Sequence, residues 1–114
     1  MKTYILPVLL LLASPAFADC QDLANADSVT RSKCIANSES KSKIDLKAAL
    51  NQSFADLMSD EEKAAFNTAQ KAWLGYRDAQ CNFAATASGG SDAPLAAATC
   101  RTELNKQRIA YLSN

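Results

Sequence analysis

Along most of the chain, apolar residues recur in steps of three and four rather than alternating, which marks helices rather than strands. β-Branched residues are few, and Ala, Leu, Lys, Gln and Glu, all strong helix formers, dominate. The pattern predicts three helices. The first starts at Asp27, a suitable N-cap, and runs towards Met58, with Leu46, Leu50, Phe54 and Leu57 on one face of its second half. Its first half, Arg31 to Lys43, is rich in Ser and Lys and offers only Cys34, Ile35 and Ala36 for burial. That stretch reads as a solvated face, with fraying or a break near Ser38–Ser42.

A second helix is announced by Ser59-Asp60-Glu61-Glu62, a capping box in which Ser59 and Glu62 exchange side-chain-to-backbone bonds. It extends to about Ala87, and Phe66, Ala69, Trp73, Tyr76, Gln80 and Phe83 build an expected seam, with Arg77, Cys81 and Ala84 beside it. Trp73 reads as a core anchor. Ser88-Gly89-Gly90-Ser91-Asp92-Ala93-Pro94 then breaks the pattern: two glycines permit positive φ, and Asp92 followed by Pro94 suits a new helix start. The third helix covers about Ala93 to Leu112, with Leu95, Cys100, Leu104, Arg108 and Tyr111 on its expected buried side.

The N-terminus does not fit this globular pattern. Lys2, an apolar stretch from Tyr4 to Ala13 interrupted by Pro7, and the small residues Ala16 and Ala18 form the three parts of a secretory signal peptide. The apolar stretch is shorter than the roughly 20 residues that a membrane span requires. Residues 1–18 are therefore expected to be removed, leaving 19–114 as one exported helical domain. Asp19 before Cys20 argues against a lipoprotein, where a small residue is needed. Loss of Lys2 takes the 12 basic residues to 11 against 12 acidic ones, a net charge of −1. A near-neutral chain without a basic block gives no footing for nucleic acid or an anionic membrane surface.

So short a mature chain builds a core of marginal strength and calls for covalent support. Its four cysteines, Cys20, Cys34, Cys81 and Cys100, read as two disulfides in an oxidising compartment. Zinc is disfavoured because the cysteines lie 14, 47 and 19 residues apart and the chain has no histidine. Cys81 and Cys100 are equidistant from the centre of the 88–94 loop, so an antiparallel hairpin sets them level. That geometry favours Cys81–Cys100 and, by elimination, Cys20–Cys34, although four cysteines permit three connectivities.

Catalysis finds little footing. Without histidine there is no usual triad, and with every cysteine oxidised there is no thiol nucleophile. Each Asp or Glu sits in a cap, on a polar helix face or near a basic partner, so a glycosidase-type carboxylate pair is not expected either. No cofactor or metal is implied.

The most distinctive segment is Ala72-Trp73-Leu74-Gly75-Tyr76-Arg77-Asp78-Ala79-Gln80-Cys81. Together with Gly89-Gly90-Ser91, Pro94, Cys100, Leu104 and Arg108, it resembles the lysozyme-inhibitor LprI family. That family is typified by W-L-x-Y-R-D-A-E-C, then a G-S-x-x-P loop, then C-L-x-x-L-T-x-x-R. The matching residues include Trp73, Tyr76, Arg77, Asp78, Cys81, Gly90, Ser91, Pro94, Cys100, Leu104 and Arg108. Gln80, Arg101 and Asn105 depart, where the family has Glu, Leu and Thr. The resemblance covers about residues 20–114. In the first half Cys34 and Leu50-Asn51 match, Lys47 stands where the family tends to Asp, and the Cys34–Leu50 span is longer than usual.

The resemblance implies an exported helical domain, in a periplasm or outside the cell, and for founding members inhibition of lysozyme. A lysozyme or another envelope protein is the implied partner. The alternative is a cell-envelope interaction or structural module without inhibitory activity. A lysozyme inhibitor has to block a cleft that holds a carboxylic acid and a carboxylate. The 88–94 loop is the candidate protrusion, with Ser88, Ser91 and the Gly89 and Gly90 N–H groups as donors; a plain interhelical turn is the competing reading. Arg77 and Arg108 are expected in structural ion pairs with Asp78, Glu103 or the chain terminus.

Overall fold

The computed structural model describes Cys20 and residues 26–114; the expected signal peptide lies outside the described residues. Three helices follow in order: α1 (Ser28–Ala55), α2 (Asp60–Ser88) and α3 (Ala93–Leu112), with a short 3₁₀ turn at Gly90–Asp92 before α3. Both start signals act as read. Asp27 accepts a 2.7 Å bond from the Thr30 backbone N–H. At α2, Ser59 Oγ accepts from the Glu62 N–H at 3.1 Å, while Glu62 accepts from the Ser59 N–H at 3.2 Å. The Asp92 side chain makes no capping bond, so α3 starts from the 3₁₀ turn with Pro94 in its first turn.

α3 is the central element: α1 packs on one side of it and α2 on another. The pairs Glu39–Arg101 and Ser42–Asn105 set α1 parallel to α3. Cys81–Cys100 and Arg77–Asn105 set α2 antiparallel to it. α1 and α2 meet near their turn through Phe54 and Phe66, edge to face at 6.0 Å. Both disulfides are present, Cys20–Cys34 and Cys81–Cys100, and Cys81 is almost fully buried. Among the described residues there is no strand, and no helix is long and apolar enough to cross a membrane.

Four expectations need correction, and in three of the places polar side chains occupy core positions. α1 runs unbroken through Ser38–Ser42, and Ser42 is buried at 2% exposure. Its hydroxyl donates to the Glu39 carbonyl at 2.8 Å and accepts from Asn105, so nothing polar is stranded. α1 also stops at Ala55, leaving Met58 exposed.

On α2 the packed stripe is rotated from the expected one and consists of Phe66, Gln70, Trp73, Arg77, Cys81 and Ala84. Ala69, Tyr76, Gln80 and Phe83 remain exposed. On α3 the buried residues are Ala97, Ala98, Thr102 and Asn105, while Tyr111 is exposed and Leu95, Leu104 and Arg108 are half-buried. Small residues fill the centre of α3 because it is flanked by a helix on two sides. Ala97 and Ala98 let both neighbours come close.

Candidate functional site

Two features concentrate the residues of the distinctive motif. The first is a polar and aromatic cluster across the three helices. Arg77 of α2 donates from Nη1 to Asn105 Oδ1 at 3.1 Å, and from Nε and Nη2 to Asp78 Oδ1 at 3.1 and 3.0 Å. Asn105, with no exposed surface, passes the connection to α1 by donating from Nδ2 to Ser42 Oγ at 3.0 Å. Beside it Arg101 of α3 grips Glu39 of α1, with Nε to Oε2 at 2.5 Å and Nη2 to Oε1 at 3.3 Å. That bond to Glu39 holds the Arg101 guanidinium protonated beyond the ordinary arginine range. A two-pronged contact of this kind fixes register between helices as well as adding energy.

Trp73 closes the cluster. The guanidinium of Arg77 lies 5.5 Å from its ring centroid and that of Arg108 lies 5.7 Å away, both within cation–π range. Arg108 also sits over Tyr111 at 5.6 Å and donates from Nε to Gln70 Oε1 at 3.1 Å. The expected ion pair therefore forms for Arg77, with Asp78, but Arg108 meets an amide and two rings instead of a carboxylate. The cluster holds three helices in register, and its polar groups are engaged with one another.

The second feature is the end of the molecule at the α2–α3 connection. Gly89 and Gly90 adopt φ of 71° and 58°, the left-handed region that requires glycine in this turn. The Gly89 N–H is occupied by the Ala85 carbonyl at 2.9 Å, so it closes α2 and is not free to meet a partner. Gly90 and Ser91 are exposed, as is Ser88 in the last turn of α2. Pro94 is exposed at the start of α3.

From this end an open groove of about 760 Å³ runs between α2 and α3. Tyr76, Gln80, Ala84 and Ser88 form one wall at four-residue intervals, and Leu95, Thr99, Glu103 and Gln107 lie along α3. Leu104 and Cys100 line its floor, and Arg31 of α1 contributes at the loop end. The sequence reading placed Tyr76, Gln80, Ala84, Leu95, Cys100 and Leu104 on or beside expected packed faces, Glu103 as an ion-pair candidate and Ser88 in the loop, but did not name Thr99 or Gln107. The signal was the spacing of 95, 99, 103 and 107, one mostly polar helical face that falls outside the matched motif. The groove offers hydroxyls, amides, two carboxylates (Asp92 and Glu103), the Arg31 guanidinium and a phenol ring, a surface for hydrogen-bonded recognition.

Comparison with known proteins places this arrangement. An uncharacterised protein of Rhizobium meliloti (strain 1021) is 47% identical over 49 residues, which make up 42% of this chain and 35% of the relative. The chain thus spans about a third of the length of the curated relative it matches. No solved structure matches it. The family model for the lysozyme inhibitor LprI matches residues 20–112, from the first cysteine to the last residue of α3, and the chain belongs to that family.

Proposed function

We propose that the chain is an exported inhibitor of lysozyme, and that the loop end of the molecule, residues 88–94, is the part that meets the enzyme. The carrying observation is the family match over residues 20–112. Geometry supports the assignment of the contact to the loop. Ser88 and Ser91 are exposed donors, and the segment bearing them is anchored at both ends by Cys81–Cys100. Lysozyme cleaves through a carboxylic acid and a carboxylate set in a cleft, so hydroxyl donors suit that site. An anchored loop loses little conformational freedom on binding, which lowers the entropic cost of association.

The groove behind the loop would receive the rim of the cleft, with Gln80 and Thr99 as contacts. Export follows in the same reading from the signal-like residues 1–18. N-terminal sequencing of the periplasmic protein should then begin at Asp19. At a net charge of −1 without residues 1–18, affinity for a basic lysozyme would rest on fit rather than on long-range steering.

The test is a cell-wall lysis assay with the purified exported chain against several lysozyme types. Dose-dependent protection is expected for at least one type. The double substitution Ser88→Ala, Ser91→Ala should weaken protection about tenfold, equivalent to about 1.4 kcal/mol, with melting unchanged. Absence of protection with every lysozyme type would favour an envelope interaction module instead. Full protection by the double variant would move the contact away from the loop.

A further inference from the structure

α2 carries two stripes side by side. One packs against α3. The other, Ala65, Ala69, Ala72, Tyr76, Ala79 and Phe83, is exposed along its length, with Tyr76 at 54% and Phe83 at 67% exposure. Its steps of four and three alternate without interruption, the spacing at which two helices wind around each other. α2 has space for a neighbour there, because it packs on α3 and α1 packs on α3 as well.

We propose that this stripe docks a second copy of the chain, α2 against α2, antiparallel about a two-fold axis. The order of large and small side chains argues for that partner. With the axis at the level of residue 74, Phe83 meets Ala65 of the second copy, and Tyr76 meets Ala72 of the second copy. Ala69 meets Ala79 of the second copy. Each ring faces a methyl group, and the symmetry repeats every layer, as a self-complementary interface requires. A parallel pairing would set Phe on Phe and Tyr on Tyr, with Ala on Ala between them, giving crowding beside voids that close packing excludes.

Charge agrees with this register. Among the positions flanking the stripe only Glu61 is charged, and the register sets it beside Asn82 of the second copy, so like charges do not meet.

Gly75 is an independent sign. A glycine inside a helix costs about 1 kcal/mol relative to alanine. A Cβ added at Gly75 would meet nothing within 4 Å, and its φ is not positive, so nothing within one copy requires glycine. It flanks the Ala72–Tyr76 layers, where a missing Cβ lets a second backbone approach.

Aromatic side chains bury about 150–250 Å² each. Part of Tyr76 and Phe83 is already covered by their own chain, so four rings and the accompanying alanines bring the contact to at most about 1,000 Å², the lower bound for specific association. The dimer is therefore weak and concentration-dependent.

Sedimentation equilibrium of the exported, oxidised chain from micromolar to near-millimolar concentration tests the proposal. The mass should rise from monomer to dimer. Ala72→Glu, at an exposed position, should leave helix content unchanged and raise the dissociation constant at least tenfold. Ala69→Glu and Ala79→Lys should each be monomeric alone and recover the dimer when mixed, because they face each other across the axis. A wild-type chain that stays monomeric, a dimer indifferent to Ala72→Glu, or a mixture that fails to associate would overturn the pairing. So would a monomer whose stripe substitutions abolish lysozyme inhibition, which would give the stripe to the enzyme. Mass and lysis are separate readouts, so failure of one reading is distinguishable from failure of the other.

Discussion

Asn105 has both ends of its carboxamide committed, one to Arg77 of α2 and one to Ser42 of α1, and no exposed surface through which water could replace either. Asn105→Ala strips an acceptor from a guanidinium and a donor from a buried hydroxyl. A hydrogen bond to a charged group is worth about 1.5–3 kcal/mol, and a stranded buried polar group costs a similar amount. Chemical denaturation should show a loss of about 2–4 kcal/mol, against under about 0.5 kcal/mol for the exposed control Asn67→Ala. A loss no greater than the control would mean that the cluster does not hold the helices together.

In the sequence, Arg101 and Asn105 stand out merely as departures from the family motif. The structure gives them a common cause: both reach α1, at Glu39 and Ser42. Such a pairing across some 60 residues leaves no periodic trace, so it was not legible from the motif.

Asp27 is the opposite case, a residue whose role was legible because capping is local. The Thr30 N–H holds its carboxyl below the ordinary value of 3.8. A lowered folded-state pKa means stabilisation present above the unfolded value and lost as pH falls through the folded one. In an NMR titration the Thr30 amide should therefore shift with a midpoint below 3.8. Asp27→Asn caps about as well and should abolish that titration. A midpoint above the ordinary value would contradict the bond.

At the scale of the elements, α2 shows why period is easier to read than orientation. Two stripes satisfy the same three-and-four rhythm, one rich in Ala with Tyr76 and Phe83, the other containing Gln70 and Arg77. The expected seam mixed the two, taking Ala69, Tyr76 and Phe83 from the first and Phe66 and Trp73 from the second; the structure packs the second. Arg77 packs its stem over Trp73 and satisfies its head with Asp78 and Asn105, so a charged residue takes a core position without a stranded charge. The disulfide decides the matter, since Cys81 has to face Cys100 and lies on the stripe that contains Arg77. Substitutions separate the two stripes. Trp73→Ala should lower stability by about 2–3 kcal/mol, short of a fully buried tryptophan because Trp73 is half-buried. Phe83→Ala, measured at dilution, should change it by under about 0.5 kcal/mol. Equal losses would restore the expected seam.

For the molecule as a whole, the helix directions place both cross-links at one end. α1 and α3 run parallel and α2 runs against them, so Cys20–Cys34 and Cys81–Cys100 both fall towards the loop. The opposite end relies on Phe54 against Phe66 and on Lys63 over the Phe54 ring at 5.7 Å. Closing loops of 14 and 19 residues contributes about 3 kcal/mol each in the chain-entropy model, so either bond matters similarly to stability. They differ in what they position. Cys81–Cys100 ties the two helices that carry the loop, whereas Cys20–Cys34 ties the leading segment to α1.

The paired variant Cys81→Ala, Cys100→Ala should therefore lose about 3 kcal/mol and, under the proposed function, inhibit lysozyme at least several-fold less well, at a temperature where circular dichroism shows both variants folded. Cys20→Ala, Cys34→Ala should lose comparable stability and keep most of its potency. Equal potency in the two variants would show that the 88–94 loop need not be held for inhibition. The contact would then lie deeper in the groove, at Gln80 and Thr99, which the helix pair presents away from the loop.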